Sequence, residues 1–174
     1  MPSITFQTRF FFALCTASLL FLGCNKTLFR DDPRLSQRND LLYFDDAPFT
    51  GAVQALHPDR TVAELIHYRN GLKHGIETHW FANGSKANER HFEDGKKVGT
   101  HQGWYGSGKL RYAYDFAADL HHGDIYEWHR NGNLYRYRKF ENGKEVGQKI
   151  WRDTGKIYAN YQNVDQKARG LRGG

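Results

Sequence analysis

The side chains of this 174-residue chain that could do chemistry are nine histidines, two cysteines and a few adjacent carboxylates. The densest histidine group is His121, His122 and His129. Zinc ligands must lie about 2.0–2.2 Å from one ion. The sequence repeats every 24 residues in a pattern typical of β-hairpins, and equivalent residues of consecutive hairpins lie two strand spacings apart, about 9.6 Å. We therefore expect no metal site, and histidines that are solvated or stacked on a half-exposed sheet.

Acidic pairs are the next candidates, because two carboxyl groups can serve general acid–base catalysis. Asp31-Asp32 and Asp45-Asp46 lie in polar stretches without the burial or partner charge that such catalysis requires. The chain also contains no Gly-x-Ser-x-Gly, no phosphate-binding Gly-Lys-Ser/Thr and no His-Glu-x-x-His. The sequence therefore predicts no catalytic residue, no cofactor and a protein that is not an enzyme.

The first residues have the pattern of a secretion signal. Residues 10–22 form an apolar run of thirteen residues that follows Arg9. At about 1.5 Å per residue this run is too short to cross a hydrocarbon core of roughly 30 Å, so it suits a signal peptide better than an uncleaved anchor or a buried helix. We expect residues 1–23 to be removed as a signal peptide.

The apolar run ends in Leu20-Phe21-Leu22-Gly23-Cys24, which resembles the lipobox of bacterial lipoproteins, with Phe21 where Leu is usual. The resemblance implies that Cys24 is lipidated and becomes the mature N-terminus, with acyl chains that hold the protein on a membrane. The next residue is Asn25, which by the sorting rule of enteric lipoproteins favours the outer membrane where the organism has one. The implied location is the cell envelope.

Residues 24–40 have few apolar positions, so we expect the lipidated cysteine to be followed by a flexible tether and the folded part to span residues 41–174. Removal of residues 1–23 with their one Arg lowers the formal net charge from +6 to +5, which suits an anionic lipid, a cell-wall polymer or an acidic partner. Nucleic acid is not expected as a partner, because an exported protein does not meet it.

Glycine and aromatic residues recur with a period of 24. The repeat glycines are Gly51, Gly75, Gly99, Gly123 and Gly147. Five residues after each glycine comes a column that contains every tryptophan of the chain: Leu56, Trp80, Trp104, Trp128 and, one position early, Trp151. Seventeen residues after each of the first four glycines comes a second aromatic column: Tyr68, Phe92, Phe116 and Phe140. Such a period indicates a repeat architecture.

Each period carries two turn signals. The first falls at Asp59-Arg60, Asn83-Gly84, Ser107-Gly108, Asn131-Gly132 and Thr154-Gly155, and the second at Asn70-Gly71, Asp94-Gly95, Ala118-Asp119 and Asn142-Gly143. Asn-Gly and Asp-Gly favour two-residue type I′ hairpin turns. The fold class predicted is all-β, a single-layer antiparallel meander of about five 24-residue hairpin repeats.

A two-residue turn fixes which residues face each other, because their numbers have a constant sum. For the turn at Asn83-Gly84 this places Gly75 opposite Phe92, and the equivalent pairs place each of the first four glycines opposite an aromatic ring. We expect the ring to cover the bare glycine backbone. Gly147 would face Gln162 instead, so the last hairpin is expected to fray or to serve as a cap.

The order of Gly, an aromatic pair, Asn-Gly, an aromatic, Asp-Gly-Lys and Gly between Gly75 and Gly99 resembles the MORN-repeat-variant family. Residues 41–44 and 48–51 are similar to the usual opening of that family, and the resemblance covers about residues 41–170. It implies a β-hairpin repeat fold that binds partners. Many members are labelled antitoxins of toxin–antitoxin systems.

The tryptophan column is the candidate binding site, because Trp80, Trp104, Trp128 and Trp151 supply more rigid surface than a strand needs. The alternative is that these rings fill a core while lysine and arginine stems shield the other face. We expect a monomeric, non-enzymatic module that binds an unknown protein. An antitoxin or immunity-like neutraliser and a structural module on anionic membrane or cell-wall polymer remain as alternatives.

Overall fold

The protein is described by a computed structural model that covers residues 26–162, and every element in that range is a strand. The strands are β1 Thr27–Phe29, β2 Leu35–Arg38, β3 Leu41–Phe44, β4 Ala47–Pro48, β5 Gly51–Leu56, β6 Val62–Arg69, β7 Leu72–Trp80, β8 Lys86–Glu93, β9 Lys96–Lys97, β10 Gly99–Trp104, β11 Leu110–Ala117, β12 Leu120–His121, β13 Gly123–Trp128, β14 Leu134–Glu141, β15 Lys144–Trp151 and β16 Ile157–Gln162. The predicted signal peptide and Cys24 lie outside these residues.

The main sheet is a meander, as predicted. Strands β5, β6, β7, β8, β10, β11, β13, β14, β15 and β16 pair antiparallel in this order, with the short β9 and β12 beside β8 and β11. Only β1 departs from the pattern among the described residues, because it pairs in parallel with β5. No helix within residues 26–162 has the length and apolar character to span a membrane.

The predicted pairing of repeat glycines with aromatic residues is confirmed. The pairs are Gly51 with Tyr68, Gly75 with Phe92, Gly99 with Phe116 and Gly123 with Phe140. Gly147 pairs with Gln162, also as predicted, and the β15–β16 register continues to Trp151 opposite Ile157. The last hairpin is therefore paired along its length, and the expectation that it frays is wrong.

The second turn of each repeat has the predicted type I′ geometry. Both central residues have positive φ in all four, for example 50° at Asn70 and 81° at Gly71. Asn, Asp and Gly tolerate this left-handed region, which matches the twist of the flanking strands. The same geometry occurs at Asn39-Asp40 and Asp45-Asp46, between β2, β3 and β4.

The first turn of each repeat is not the predicted two-residue turn. Only its second central residue has positive φ, 69° at Arg60 in the first repeat and 78° at Gly84 in the second, and the Gly84 N–H donates to the Phe81 carbonyl at 2.9 Å. Phe81 is then paired with Ser85, so the loop contains three residues, a common hairpin geometry that also uses Gly. A β-bulge at Ala87 restores the register, since Trp80 pairs with Lys86 but His79 pairs with Asn88. The longer loop and the bulge cancel, which is why the predicted glycine–aromatic pairs are nevertheless correct.

Three of the repeat glycines, Gly75, Gly99 and Gly123, have positive φ and no ring atom within 4 Å of a built Cβ. At Gly99, with φ +63°, the only atom within 4 Å of a built Cβ is His91 Cβ at 4.0 Å. The facing ring of Phe116 is farther away, so the expectation of a ring over the glycine is wrong at this pair. Gly99 lies instead where the chain bulges between β9 and β10 and needs the left-handed conformation.

The flexible tether predicted over residues 24–40 is wrong from Lys26 onward. β1 extends the main sheet beside β5, and β2 pairs with β3 in a separate three-stranded sheet. Leu28, Phe49 and Val53 form a buried cluster, against which Leu35, Leu42, Phe44 and Tyr68 pack. Leu28 and Leu35 are apolar residues of this polar segment that pack in the cluster, whereas Phe29 is exposed, so burial of two side chains helps to order the segment.

Candidate functional site

The main sheet has two faces, which follow from strand alternation and pairing. The glutamate face carries Glu64, Glu77 and Glu127. The tryptophan face carries Trp80, Trp104, Trp128 and Trp151, because each tryptophan follows a residue that points to the glutamate face. The predicted binding residues therefore share one face, opposite Glu64, Glu77 and Glu127.

The tryptophans form part of a stripe along the tryptophan face. Each is directly paired across its hairpin, Trp104 with Leu110, Trp128 with Leu134 and Trp151 with Ile157. Trp80 pairs with Lys86, whose ammonium lies 5.4 Å from the centre of the Trp104 ring. We call these four pairs the tryptophan stripe. All four tryptophans are half-buried, so they are neither a closed core nor fully exposed.

The glutamate face is held by buried ion pairs. The side chain of Glu77 is 2% exposed and accepts from Lys73, from His79 Nε2 at 2.9 Å and from Arg90 Nη1 at 3.1 Å. Burial raises the pKa of this carboxyl, but the hydrogen bonds from Lys73 and His79 and the nearby charges outweigh burial and hold it below its usual range. Glu77 is thus a buried carboxylate that is fully paired, which is a structural role.

Glu127 occupies a similar position farther along the sheet. Its Oε1 accepts from Arg136 Nη2 at 2.6 Å and from Tyr114 Oη at 3.1 Å. Burial and the Glu127 charge raise the pKa of Tyr114 to about 12, so its hydroxyl stays protonated and donates. Between them, Glu77 and Glu127 show how a single layer buries charge, by pairing each carboxylate with several donors.

The second aromatic column lies on the glutamate face and is interleaved with histidines. Phe92, His101, Phe116, His121 and Phe140 follow one another with ring centroids 5.6, 4.6, 4.5 and 5.1 Å apart. Burial lowers the pKa of His101, whose Nε2 is 2.8 Å from the His91 carbonyl oxygen. These histidines pack between phenylalanine rings at tilts of 30–53°, and His101 is buried, whereas we expected solvated or stacked histidines on a half-exposed sheet. No three His, Cys, Asp or Glu side chains within residues 26–162 are placed to hold one metal ion.

A column that sequence analysis overlooked joins successive repeats. His57, Tyr105 and His129 each follow the residue of the tryptophan column, and each reaches the carbonyl of the next tryptophan. Tyr105 Oη donates to the Trp128 carbonyl at 2.7 Å, and the Nε2 atoms of His57 and His129 lie 3.0 and 3.1 Å from the carbonyls of Trp80 and Trp151. The available signal was the spacing of these polar rings, 48 and 24 residues, with Phe81 at the intervening position of the repeat.

Two adjoining cavities open beside this column. One has a volume of about 590 Å³ and the other about 490 Å³, and both are lined by Phe81, Trp104, Tyr105 and Arg111. The larger also contacts Tyr112, Tyr114 and Asn88 of the glutamate face, and the smaller contacts Arg130. We call the pair the aromatic groove.

The bulges explain why the aromatic groove exists. A β-bulge places two consecutive residues opposite one and re-aims a side chain. The bulge residues Ala87, Arg111 and Tyr135 all line the groove. Asn88 and Tyr112, which directly follow two of them, line it as well. The hairpins closed by the first turn of these three repeats share this bulge. Arg111, Tyr112 and Tyr135 therefore line the groove on the face that also carries Glu127.

A third cavity, of about 650 Å³, lies between the small N-terminal sheet and the glutamate face. Ser36 and Leu42 line one side, and Glu64, Glu77 and Arg90 line the other. Arg30 contributes an ion pair to Glu64. The charged side chains that line this cavity are paired with each other, Arg30 with Glu64 and Arg90 with Glu77. We therefore attribute the cavity to the packing of the N-terminal sheet on the glutamate face.

No family model matches the chain, and no curated protein is detectably similar to it.

Proposed function

We propose that this protein is a non-enzymatic, lipid-anchored module of the cell envelope that binds another protein through the tryptophan stripe, and that its repeats belong to the MORN-repeat-variant type. It acts as a monomer held on a membrane by Cys24. The observation that carries the proposal is the stripe itself, a row of seven apolar side chains and Lys86 on the face opposite the buried Ile125 and Phe140.

Burial argues for binding as well. Monomeric proteins seldom expose contiguous apolar rows, and tryptophan is enriched at binding hot spots. The buried apolar side chains of the described residues include Ile125 and Phe140 on the glutamate face and none of the four tryptophans. The two tryptophans in the middle of the array are also supported from the side, Trp104 by Lys86 and Trp128 by Tyr126, whose ring centre is 5.8 Å away.

The test is capture of a partner from detergent-solubilised envelope by the full-length protein, with bound proteins identified by mass spectrometry. A fragment that began at residue 41 would lack β1 and β2 and is unsuitable. Trp80→Leu should weaken capture of the same partner by roughly fivefold or more, the loss of an interface residue that contributes about 1 kcal/mol or more. Leu120→Ala is the control, because Leu120 is 57% exposed but lies outside the stripe.

Thermal melting of the same variants separates binding from packing. If the stripe binds, Trp80→Leu melts close to the unaltered protein. A loss of stability of roughly 1–3 kcal/mol, the usual range for a shape change in a packed site, with capture intact at low temperature would contradict the proposal. A captured toxin would instead identify the protein as an antitoxin-like neutraliser.

A further inference from the structure

We propose that the aromatic groove binds an acidic polysaccharide, an unbranched sugar chain that carries carboxylates. The groove opens mainly on the opposite face from the tryptophan stripe, of which it touches Trp104 and Trp128, so this is a second binding site. The inference rests on the proposed function in one respect, since an envelope protein meets cell-wall and surface glycans.

The floor of the groove consists of two stacked aromatic rings. Tyr112 lies across the backbone of Gly103, and its ring stacks on that of Tyr114 with centroids 4.6 Å apart and planes 23° apart. Gly103 and Tyr114 hold the Tyr112 ring in place, so the outer side of the stacked pair is what a ligand in the groove would contact. The C–H face of a sugar ring packs on an aromatic ring through dispersion and the negative face of the ring.

The charge of the groove favours an anion. Arg111 and Arg130 are exposed, and their guanidinium carbons lie 5.9 and 5.2 Å from the centre of the Tyr105 ring. Neither has a carboxylate within 4 Å among residues 26–162. The acidic lining residue, Glu127, is already bonded to Arg136 and Arg138. The two arginines are therefore available for the planar, bidentate contact that guanidinium makes with a carboxylate.

The groove also contains an acceptor that needs a donor. Asn88 Oδ1 is buried and has no hydrogen-bond partner within the described part of the chain. Buried polar atoms are nearly always paired, and a rotation of the Asn88 side chain toward the groove would let a sugar hydroxyl supply the donor. An acidic peptide could satisfy the arginines, but its flexible acidic side chains would gain little from the flat rings.

The length of the groove favours a chain over a single sugar. Phe81 and Tyr105 occupy equivalent positions in successive repeats, about 9.6 Å apart as two strand spacings. This distance is comparable to the length of a disaccharide, so alternate rings of a linear glycan would meet equivalent aromatic positions. The two cavities, which share these residues, would each hold one part of the chain.

The experiment titrates full-length protein in detergent micelles against fluorescein-labelled hexagalacturonate, read by fluorescence polarisation. Maltohexaose is the neutral competitor of the same length, and polyglutamate and a dT12 oligonucleotide are anionic competitors of other classes. Unlabelled hexagalacturonate should displace the probe, and the three others should do so at least about tenfold less well. Arg111→Gln and Arg130→Gln should each raise Kd about tenfold, the effect of one lost charge-assisted contact.

Arg152→Gln is the matched control, because Arg152 lies 5.2 Å from the Tyr158 ring in an exposed pair that resembles Arg130 and Tyr105. It should change Kd less than about twofold. Failure to bind the probe, an equal effect of Arg152→Gln, or equal displacement by any one of the competitors would overturn the inference. Trp80→Leu should leave this titration unchanged, so failure of the glycan site and failure of the tryptophan stripe are distinguishable.

Discussion

Tyr112 and Gly103 are directly paired across β10 and β11, and the ring of Tyr112 lies on the backbone of Gly103. A Cβ at Gly103 would come within 2.2 Å of Tyr112 Cε1 and 2.4 Å of its Cζ. This is the contact between a ring and a bare glycine that the sequence led us to expect four residues earlier, at Gly99. This contact positions the Tyr112 ring at the floor of the aromatic groove.

Gly103→Ala should destabilise the fold, because the added methyl group forces the Tyr112 ring out of its position. We expect a loss of roughly 1–3 kcal/mol, the range for overpacking a tight site, measured by chemical denaturation. In Tyr112→Ala the obstructing ring is absent, so the same glycine substitution in that background should cost less than half as much. Additive losses in the double mutant would show that the two residues do not act on each other.

Gly108 and Gly106 test whether positive φ is what the first turns require. Both glycines have open space around a built Cβ, but only Gly108 has a positive φ, +80°. Gly108→Ala should therefore destabilise the protein by about 1 kcal/mol, the cost of a left-handed conformation for an L-residue. Gly106→Ala should be neutral or slightly stabilising. Equal melting temperatures for the two variants would contradict the turn assignment.

Glu77 should make stability depend on pH. Burial opposes ionisation, but bonds from Lys73 and His79 keep the pKa of Glu77 below the ordinary value of 4.5. A carboxyl whose pKa is lower in the folded than in the unfolded state stabilises the fold fully above the unfolded value, and the contribution is lost as pH falls through the folded value. Stability should therefore decline below about pH 4.5.

Glu77→Gln should remove that part of the decline. At pH 7 it should also cost roughly 1–2 kcal/mol, because Lys73 loses a charged partner but, at 35% exposure, is still hydrated. Urea denaturation at pH 7 and pH 3 measures both effects. Glu93→Gln is the control at an exposed position of the same sheet. An unchanged slope of stability against pH in Glu77→Gln would show that this carboxyl is not the titrating group.

Cys24→Ser tests the lipid anchor that the proposed function requires. Without the thiol, the acyl chain has no attachment point, so the protein should leave the membrane fraction or accumulate as an uncleaved precursor. Fractionation and labelling with a fatty-acid analogue measure this, and Cys15→Ser, inside the predicted signal peptide, should behave like the unaltered protein. A Cys24→Ser protein that still incorporates the label would contradict lipidation at this residue.

The sequence alone determined the order and pairing of the repeats. Hairpin partners are close in the chain, so the 24-residue period and the turn residues were enough to pair Gly75 with Phe92 and Gly123 with Phe140. They were not enough to choose the first turn type. Asn-Gly suits both a two-residue turn and a three-residue loop, and the bulge at Ala87 that follows the longer loop has no signature of its own.

Burial was decided only by the tertiary structure. Residues 26–40 are polar on average, yet Leu28 and Leu35 join a cluster with Val53, because parallel pairing of β1 with β5 brings them there. Likewise Arg111 and Tyr112 differ by one position but both line the groove, since a bulge breaks strict alternation. Contacts between residues far apart in the chain depend on how the whole sheet is built, and no local pattern records them.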